Sequence, residues 1–226
     1  MASAALDALQ AALPEVSDLH VPSGKVGELG ANANRIRAVG RAQTVLLSSH
    51  FERYIYQVNE EAVAFLNDAH VVPSKLPDPL RVLHSKEPLD QLAETAWENR
   101  AKQLESFVAI DGWLWTLNVT GTLIHSRLLA WMSSPKPKNL VRYFKYWSIP
   151  DIFTAITRKP QTRNRLWLGV QELVDRRNSI AHGDYSAQAT ASDVRRFERS
   201  VRLFCGRADR ELGKAISRIS GGPLPW

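Results

Sequence analysis

The segment Ser192–Ile219, SDVRRFERSVRLFCGRADRELGKAISRI, decides the fold class. In it Val194, Phe197, Val201, Phe204, Ala208, Leu212, Ala215 and Ile219 recur at spacings of three and four. That is the period of one apolar face on an α-helix. Ser192, with Asp193 beside it, reads as the N-cap, and Gly221-Gly222-Pro223 as the stop. Cys205 lies next to Phe204 on the apolar side and reads as core. Upstream, Ile36, Val39, Gln43, Leu46, Leu47, His50, Tyr54, Val58, Ala62 and Leu66 repeat in the same way and predict a longer amphipathic helix. A further helix is expected over Thr162–Ala181, ended by Gly183.

The rest of the chain fits around these. A short helix is expected over Ser3–Leu13, followed by a loop containing Pro14, Pro22 and Gly24, so residues 1–30 read as an N-terminal appendage. Pro73, Pro77, Pro79 and Pro88 argue against regular structure over residues 70–88. Helices are expected over Leu89–Phe107 and over Val119–Met132; the second is apolar all round, hence central, and ends at Pro135 and Pro137. Two short helices follow, Asn139–Tyr146 and Asp151–Thr157, the latter capped by Asp151. No segment alternates apolar and polar residues, and no Asn-Gly or Asp-Gly hairpin turn occurs. The expected architecture is all-α: residues 1–226 as a single helical-bundle domain with one Pro-rich excursion.

Composition narrows the function. The 226 residues, 44% hydrophobic, are enough for a core without staples. One Cys excludes a disulfide framework within the chain and any multi-Cys metal or cluster site, and no cofactor or metal is expected. The N-terminus lacks a basic region and carries Asp7 and Glu15, so it is a poor secretory signal. The most apolar stretch, Phe107 to Trp131, is interrupted by Asp111, Asn118, His125 and Arg127. No membrane span is therefore expected, and a cytoplasmic location is.

Net charge is +6 and pI about 9.6, which favours a polyanionic partner. The excess is local. Residues 133–165 hold Lys136, Lys138, Arg142, Lys145, Arg158, Lys159, Arg163 and Arg165 against the single acid Asp151, leaving 21 basic and 22 acidic residues elsewhere. Tyr143, Phe144, Tyr146 and Trp147 are interleaved. Cations beside aromatic faces suit the phosphates and unstacked bases of single-stranded RNA. The competing reading is a solvated basic helix whose aromatics face the core. Arg195, Arg199 and Arg202 read as exposed helix charge.

A second polar cluster, Asp175-Arg176-Arg177-Asn178-Ser179-Ile180-Ala181-His182-Gly183-Asp184, closes a helix. An Arg–His pair suits metal-free RNA cleavage. His moves a proton at the 2′-hydroxyl or the leaving oxygen, and Arg offers a fork of donors to the phosphorane. On an ideal helix, however, residues five apart lie about 140° apart around the axis. Arg177 and His182 can share a site if the helix unwinds near Gly183, or if a two-fold dimer places both motifs in one cleft. A purely structural account pairs Arg177 with Asp175 or Asp184 and uses His182 to cap the helix.

The run Arg177-Asn178-Ser179-Ile180-Ala181-His182-Gly183 resembles the R-x4-6-H signature of the HEPN superfamily. The preceding Leu173-Val174 and the following long helix fit as well. So does Leu46-Leu47-Ser48-Ser49-His50-Phe51-Glu52, which resembles the helix ending in a Phe-Glu pair in the MAE and RiboL-PSP branches. The resemblance spans roughly Arg35 to Ile219. It implies a helical bundle that dimerises with its motifs facing each other. It also implies a metal-independent endoribonuclease of a toxin–antitoxin or phage-defence system, with RNA as substrate and an antitoxin or defence protein as partner. A HEPN fold equally supports a non-catalytic RNA- or protein-binding scaffold. By position, Arg177 and His182 take the catalytic roles and Asn178 the polar position after the Arg. Glu52 and His50, on the long helix, are secondary candidates, with a structural ion pair to Arg53 or near Arg41 as the alternative for Glu52. HEPN toxins paired with a nucleotidyltransferase often carry His-x-Tyr; here Tyr185 comes one residue later. No P-loop, nucleophile elbow, H-E-x-x-H or zinc-deaminase motif occurs. His20, His50, His70, His84 and His125 show no metal-ligand spacing.

Overall fold

The apolar stripe from Val194 to Ile219 forms helix α9 (Ala191–Ser220), and all eight of its residues are buried. A computed structural model describes the backbone of residues 1–19 and 29–226, and the side chains of residues 1–19 and 33–226. Helix α9 does not start at Ser192. Thr190 is the N-cap: its hydroxyl accepts from the Asp193 N–H, and the Asp193 carboxylate accepts from the Thr190 N–H. This reciprocal pair satisfies two otherwise orphaned donors and places Ser192 inside the first turn. Gly221, with φ +71°, ends the helix as expected.

The long helix is α2 (Leu29–Asp68), and Leu47, Tyr54, Val58, Ala62 and Leu66 face the core. Ile36 is 56% exposed, and residues 34–38 have no core face. Gln43, on the apolar stripe, works through its amide: it donates to the Val16 and Leu19 carbonyls at the C-terminal end of α1. Helix α1 (Ala4–Asp18) runs five residues beyond the expected end, through Pro14. It buries Leu6, Leu9, Leu13 and Val16 in the same core as α2 and α9. Ser3 caps it, Glu61 accepts from the Ala4 and Ala5 N–H groups, and Asp209 accepts from the Ser3 N–H. Residues 4–18 thus belong to the bundle. The expected loop at Pro22 and Gly24 lies outside the described residues.

The region 70–132 departs most from expectation. Helix α3 (Asp78–Glu94) occupies half of the supposed Pro-rich loop. Pro79 sits in the first turn, where its missing N–H costs nothing, and Pro88 is accommodated inside the helix. The helix expected over 89–107 is divided. α3 stops at Glu94, a 3-10 turn follows at Trp97–Asn99, and α4 (Arg100–Asp111) begins. The helix expected over 119–132 shrinks to α5 (His125–Leu129). Residues 116–124 are irregular because side chains from other elements satisfy their backbone. Asn67 bonds both the N–H and the C=O of Leu123, at 2.8 and 3.0 Å. His84 Nε2 accepts from the Ile124 N–H at 2.8 Å, and Asn59 donates to the His125 carbonyl at 2.9 Å. A Cβ on Gly121 would stand 2.3 Å from the Trp113 ring, so only glycine fits there.

Helices α6 (Pro137–Tyr146) and α7 (Ile152–Ile156) match expectation, with Asp151 capping α7. Helix α8 (Pro160–Ala181) crosses α9 closely: a Cβ on Gly169 would meet Ser200 Oγ at 2.2 Å. Among the described residues there are nine α-helices and no strand, so the protein is all-α. The centre of the core is aromatic. Phe204 of α9 packs edge-on against Phe51 of α2 at 5.9 Å and also touches Phe144 and Phe153.

Candidate active site

The motif lies on the last turn of α8 and the loop to α9. Its two adjacent arginines are divided between two tasks because they point about 100° apart. Arg176 turns toward α9: it donates to the Gln188 carbonyl, stands 3.5 Å from the Asp193 carboxylate and covers the Phe197 ring. It thereby fixes the loop and the start of α9. Arg177 turns toward α2, where Nη2 meets Glu52 Oε2 at 3.3 Å and Nη1 donates to its neighbour Asn178 Oδ1 at 3.1 Å.

Arg177 therefore pairs with neither Asp175 nor Asp184. Asp175 takes Lys136 at 2.7 Å and Gln171, and these bonds hold its carboxyl below the usual range although partial burial opposes them. Asp184 turns back to accept from the Ser186 N–H and hydroxyl.

Glu52 and Arg177 are both partly exposed, at 22% and 31% of their side chains. Burial pushes the Glu52 carboxyl above its ordinary value, and the Arg177 guanidinium pulls it back only in part. Glu52 Oε1 is buried and has no hydrogen-bond partner among the described residues. The pair thus presents a cation aimed by a carboxylate, with donors of the guanidinium still open toward the surface.

His182 is exposed at the end of α8. Its backbone stays close to helical, φ −82° and ψ 8°, and its N–H still bonds the Asn178 carbonyl at 2.9 Å. The chain breaks only at Gly183, with φ +82°. Unwinding thus comes too late to rotate His182 toward Arg177, and the two leave the helix on different faces. Helix α2 also braces the loop. Gly40 lets the Ala189 carbonyl approach to 2.2 Å from where a Cβ would stand, and Arg41 lies over the Tyr185 ring at 5.2 Å. His50 faces the other way, toward Glu15 of α1 at 3.4 Å, and is not brought to Arg177.

The basic window keeps its charge at the surface and loses its aromatics to the core. Lys138, Arg142, Lys145, Arg158, Lys159 and Arg165 are exposed. Lys136 and Arg163 are half-buried, Arg163 donating to Thr154. Tyr143, Phe144 and Trp147 are fully buried, and Tyr146 packs edge-on against Trp131. Of the two readings of this window, stacking of bases on Tyr143, Phe144 and Trp147 is excluded by their burial, and Tyr146 is half-buried. Cys205 is buried, as expected.

Sequence reasoning missed one buried polar cluster. Arg127 Nη1 donates to both carboxylate oxygens of Asp111, at 2.7 and 2.8 Å, and Asp111 faces His84 Nδ1 at 2.9 Å. Because His84 Nε2 accepts from a backbone N–H, its proton sits on Nδ1, toward Asp111. Burial lowers the His84 pKa, with Asp111 opposing and Arg127 assisting. This cluster ties α3, α4 and α5 together. Among the described residues no group of three or more His, Cys, Asp or Glu is placed to hold a metal. Nor is any helix long and apolar enough to cross a membrane.

An all-α bundle carrying Arg-x4-His at a helix end, with a Phe-Glu pair on a long facing helix, defines a HEPN-type protein. The RiboL-PSP-HEPN family model matches residues 7–214, and the chain belongs to that family. Neither the curated proteins nor the solved structures give a match. Membership associates the chain with nuclease-like or RNA-related function, and HEPN domains often bind RNA and dimerise.

Proposed function

We propose that this chain is a metal-independent endoribonuclease that works as a homodimer, its Arg177 and His182 motifs facing across one cleft. The observation that carries the reading is Arg177, a partly exposed guanidinium aimed by Glu52 and Asn178 and not consumed by its neighbouring acids. In the proposed reaction His182 takes the proton of the 2′-hydroxyl, and the 2′-oxygen attacks the adjacent phosphorus. The 5′-oxygen leaves with the proton that the His182 imidazolium returns, giving a 2′,3′-cyclic phosphate and a 5′-hydroxyl. Arg177 holds the phosphorane, where negative charge accumulates. Since the two side chains diverge on one α8, the Arg of one copy and the His of the other complete the site. Lys136, Lys138, Arg142, Lys145, Arg158, Lys159, Arg163 and Arg165 form one wall of the cleft and contact phosphates, which position the RNA without selecting sequence. A nuclease of this kind needs restraint, so an antitoxin or a defence-system protein is the expected partner.

The test is cleavage of single-stranded RNA with and without EDTA by wild type, Arg177→Ala and His182→Ala. Each variant loses at least ~10²-fold in rate with its helical circular dichroism intact. EDTA has no effect, and mixing the two variants restores part of the activity through hybrid dimers. Full activity in either variant overturns the assignment. RNA bound but left intact by the wild type favours a non-catalytic RNA-binding module.

A further inference from the structure

With Tyr143, Phe144 and Trp147 in the core and Tyr146 half-buried against Trp131, a single-stranded RNA needs another stacking surface. Among the described residues four aromatic side chains are more than a third exposed: Tyr56, Trp97, Trp115 and Tyr185. Trp97 and Trp115 belong to the α3–α4 region, where Arg100 and Arg81 cover them. Tyr185 carries Arg41 over its ring.

Tyr56 differs in position and in freedom. It lies one turn beyond Glu52 on α2, on the same face, and is 49% exposed. Its hydroxyl donates to the Met132 carbonyl at 3.3 Å, which orients the ring. Glu52, Ile55 and Tyr56 form one side of a crevice whose other side is Met132, Ser133, Ser134 and Pro135. The crevice measures about 20 Å³, room for a water but not for a ring. A planar ligand must therefore lie across its mouth, against the exposed part of Tyr56. Two cations adjoin the residues lining the crevice: Arg177, paired with Glu52, and Lys136, which follows Pro135 and pairs with Asp175.

We propose that Tyr56 is the stacking platform for an unpaired base of single-stranded RNA whose phosphates lie on Arg177 and Lys136. The proposal rests on the nuclease reading and names how its substrate is held. An aromatic face beside phosphate-binding cations is the arrangement used to hold unstacked single strands. Stacking accepts every base, so the platform grips the strand without strict sequence choice. Ser133, exposed at the rim, carries a hydroxyl able to bond a base edge.

The test is fluorescence anisotropy of the full chain with a labelled 2′-O-methyl oligouridine, which lacks the nucleophile and reports binding alone. Tyr56→Ala weakens binding about 5- to 100-fold, the range for loss of one stacked base. Tyr56→Phe and Tyr56→Trp stay near wild type, and Tyr185→Ala has a smaller effect than Tyr56→Ala. On an abasic oligomer of the same backbone, Tyr56→Ala and wild type bind alike. Equal affinity of Tyr56→Ala and wild type for the oligouridine overturns the platform. So does an equal loss on the abasic strand, equal damage from Tyr56→Phe, or a wild type that does not bind the probe. Failure of the nuclease reading shows separately, as tight binding of the probe by a protein that leaves unmodified RNA uncut.

Discussion

Helices α9 and α4 put the same alphabet to opposite uses. Helix α9 buries thirteen of its thirty residues, whereas α4 buries only Asp111. Leu104, Val108 and Ile110 of α4 are each about half exposed, and an apolar groove of about 680 Å³ opens between α3 and α4. The first region is held by apolar periodicity. The second is held by polar bonds: the His84–Asp111–Arg127 cluster, and the Asn59 and Asn67 amides on the backbone of 123–125. Stability in this protein thus has two sources, and they respond differently to mutation and pH.

The largest effect is expected where apolar packing is densest. Phe204 is fully buried at the junction of α2, α6, α7 and α9. Phe204→Ala should cost about 4 kcal/mol in urea unfolding. Leu104→Ala on α4 removes a side chain of comparable apolar character and should cost less than ~0.5 kcal/mol. A similar cost at both sites would erase the distinction between the regions.

The boundary between what could and could not be read in the sequence follows the same division. Helices α2, α8 and α9 were legible because their apolar residues repeat along the chain itself, and the motif was legible because it is local. The Arg177–Glu52 pair joins residues 125 positions apart, so the motif and the Phe-Glu segment were each visible but their contact was not. Residues 119–124 opened the helix expected over Val119–Met132 but are irregular. Only the tertiary placement of Asn67, His84 and Trp113 makes the irregular path favourable. Composition also could not tell which way α6 turns: the same Tyr143, Phe144 and Trp147 fit a binding face or a core, and Phe204 and its neighbours claim them.

The second effect tests the polar region. Arg127→Met leaves the Asp111 carboxylate buried without its countercharge and should cost about 3 kcal/mol. His84 adds a pH dependence. Its pKa in the folded protein lies below the ordinary 6.5, so unfolding lets it take up a proton as pH falls under that value. Its contribution is therefore fully present above about pH 6.5 and is lost progressively as pH drops toward the folded value. His84→Gln should be less stable than wild type at pH 8. It should also show a shallower fall in unfolding free energy between pH 7 and the mildly acidic range. An unchanged slope would mean that His84 is not held neutral by the fold.

The smallest effect decides where α9 begins, and with it how the motif loop is anchored. Ser192 and Thr190 are both chemically able to cap, and a cap two residues later would lengthen the loop after His182. The hydrogen bonds choose Thr190, whose partner Asp193 also receives Arg196 at 2.9 Å and faces Arg176 across the α8–α9 junction. The cap is therefore coupled to the arginine next to Arg177. Thr190→Ala should cost about 1 kcal/mol and raise hydrogen exchange in residues 183–193. Ser192→Ala, exposed within the first turn, should change stability by less than ~0.5 kcal/mol and leave exchange as it was. If Ser192→Ala proves the more costly, α9 starts later, Arg176 loses its link to Asp193, and Arg177 has one fewer neighbour fixing its direction.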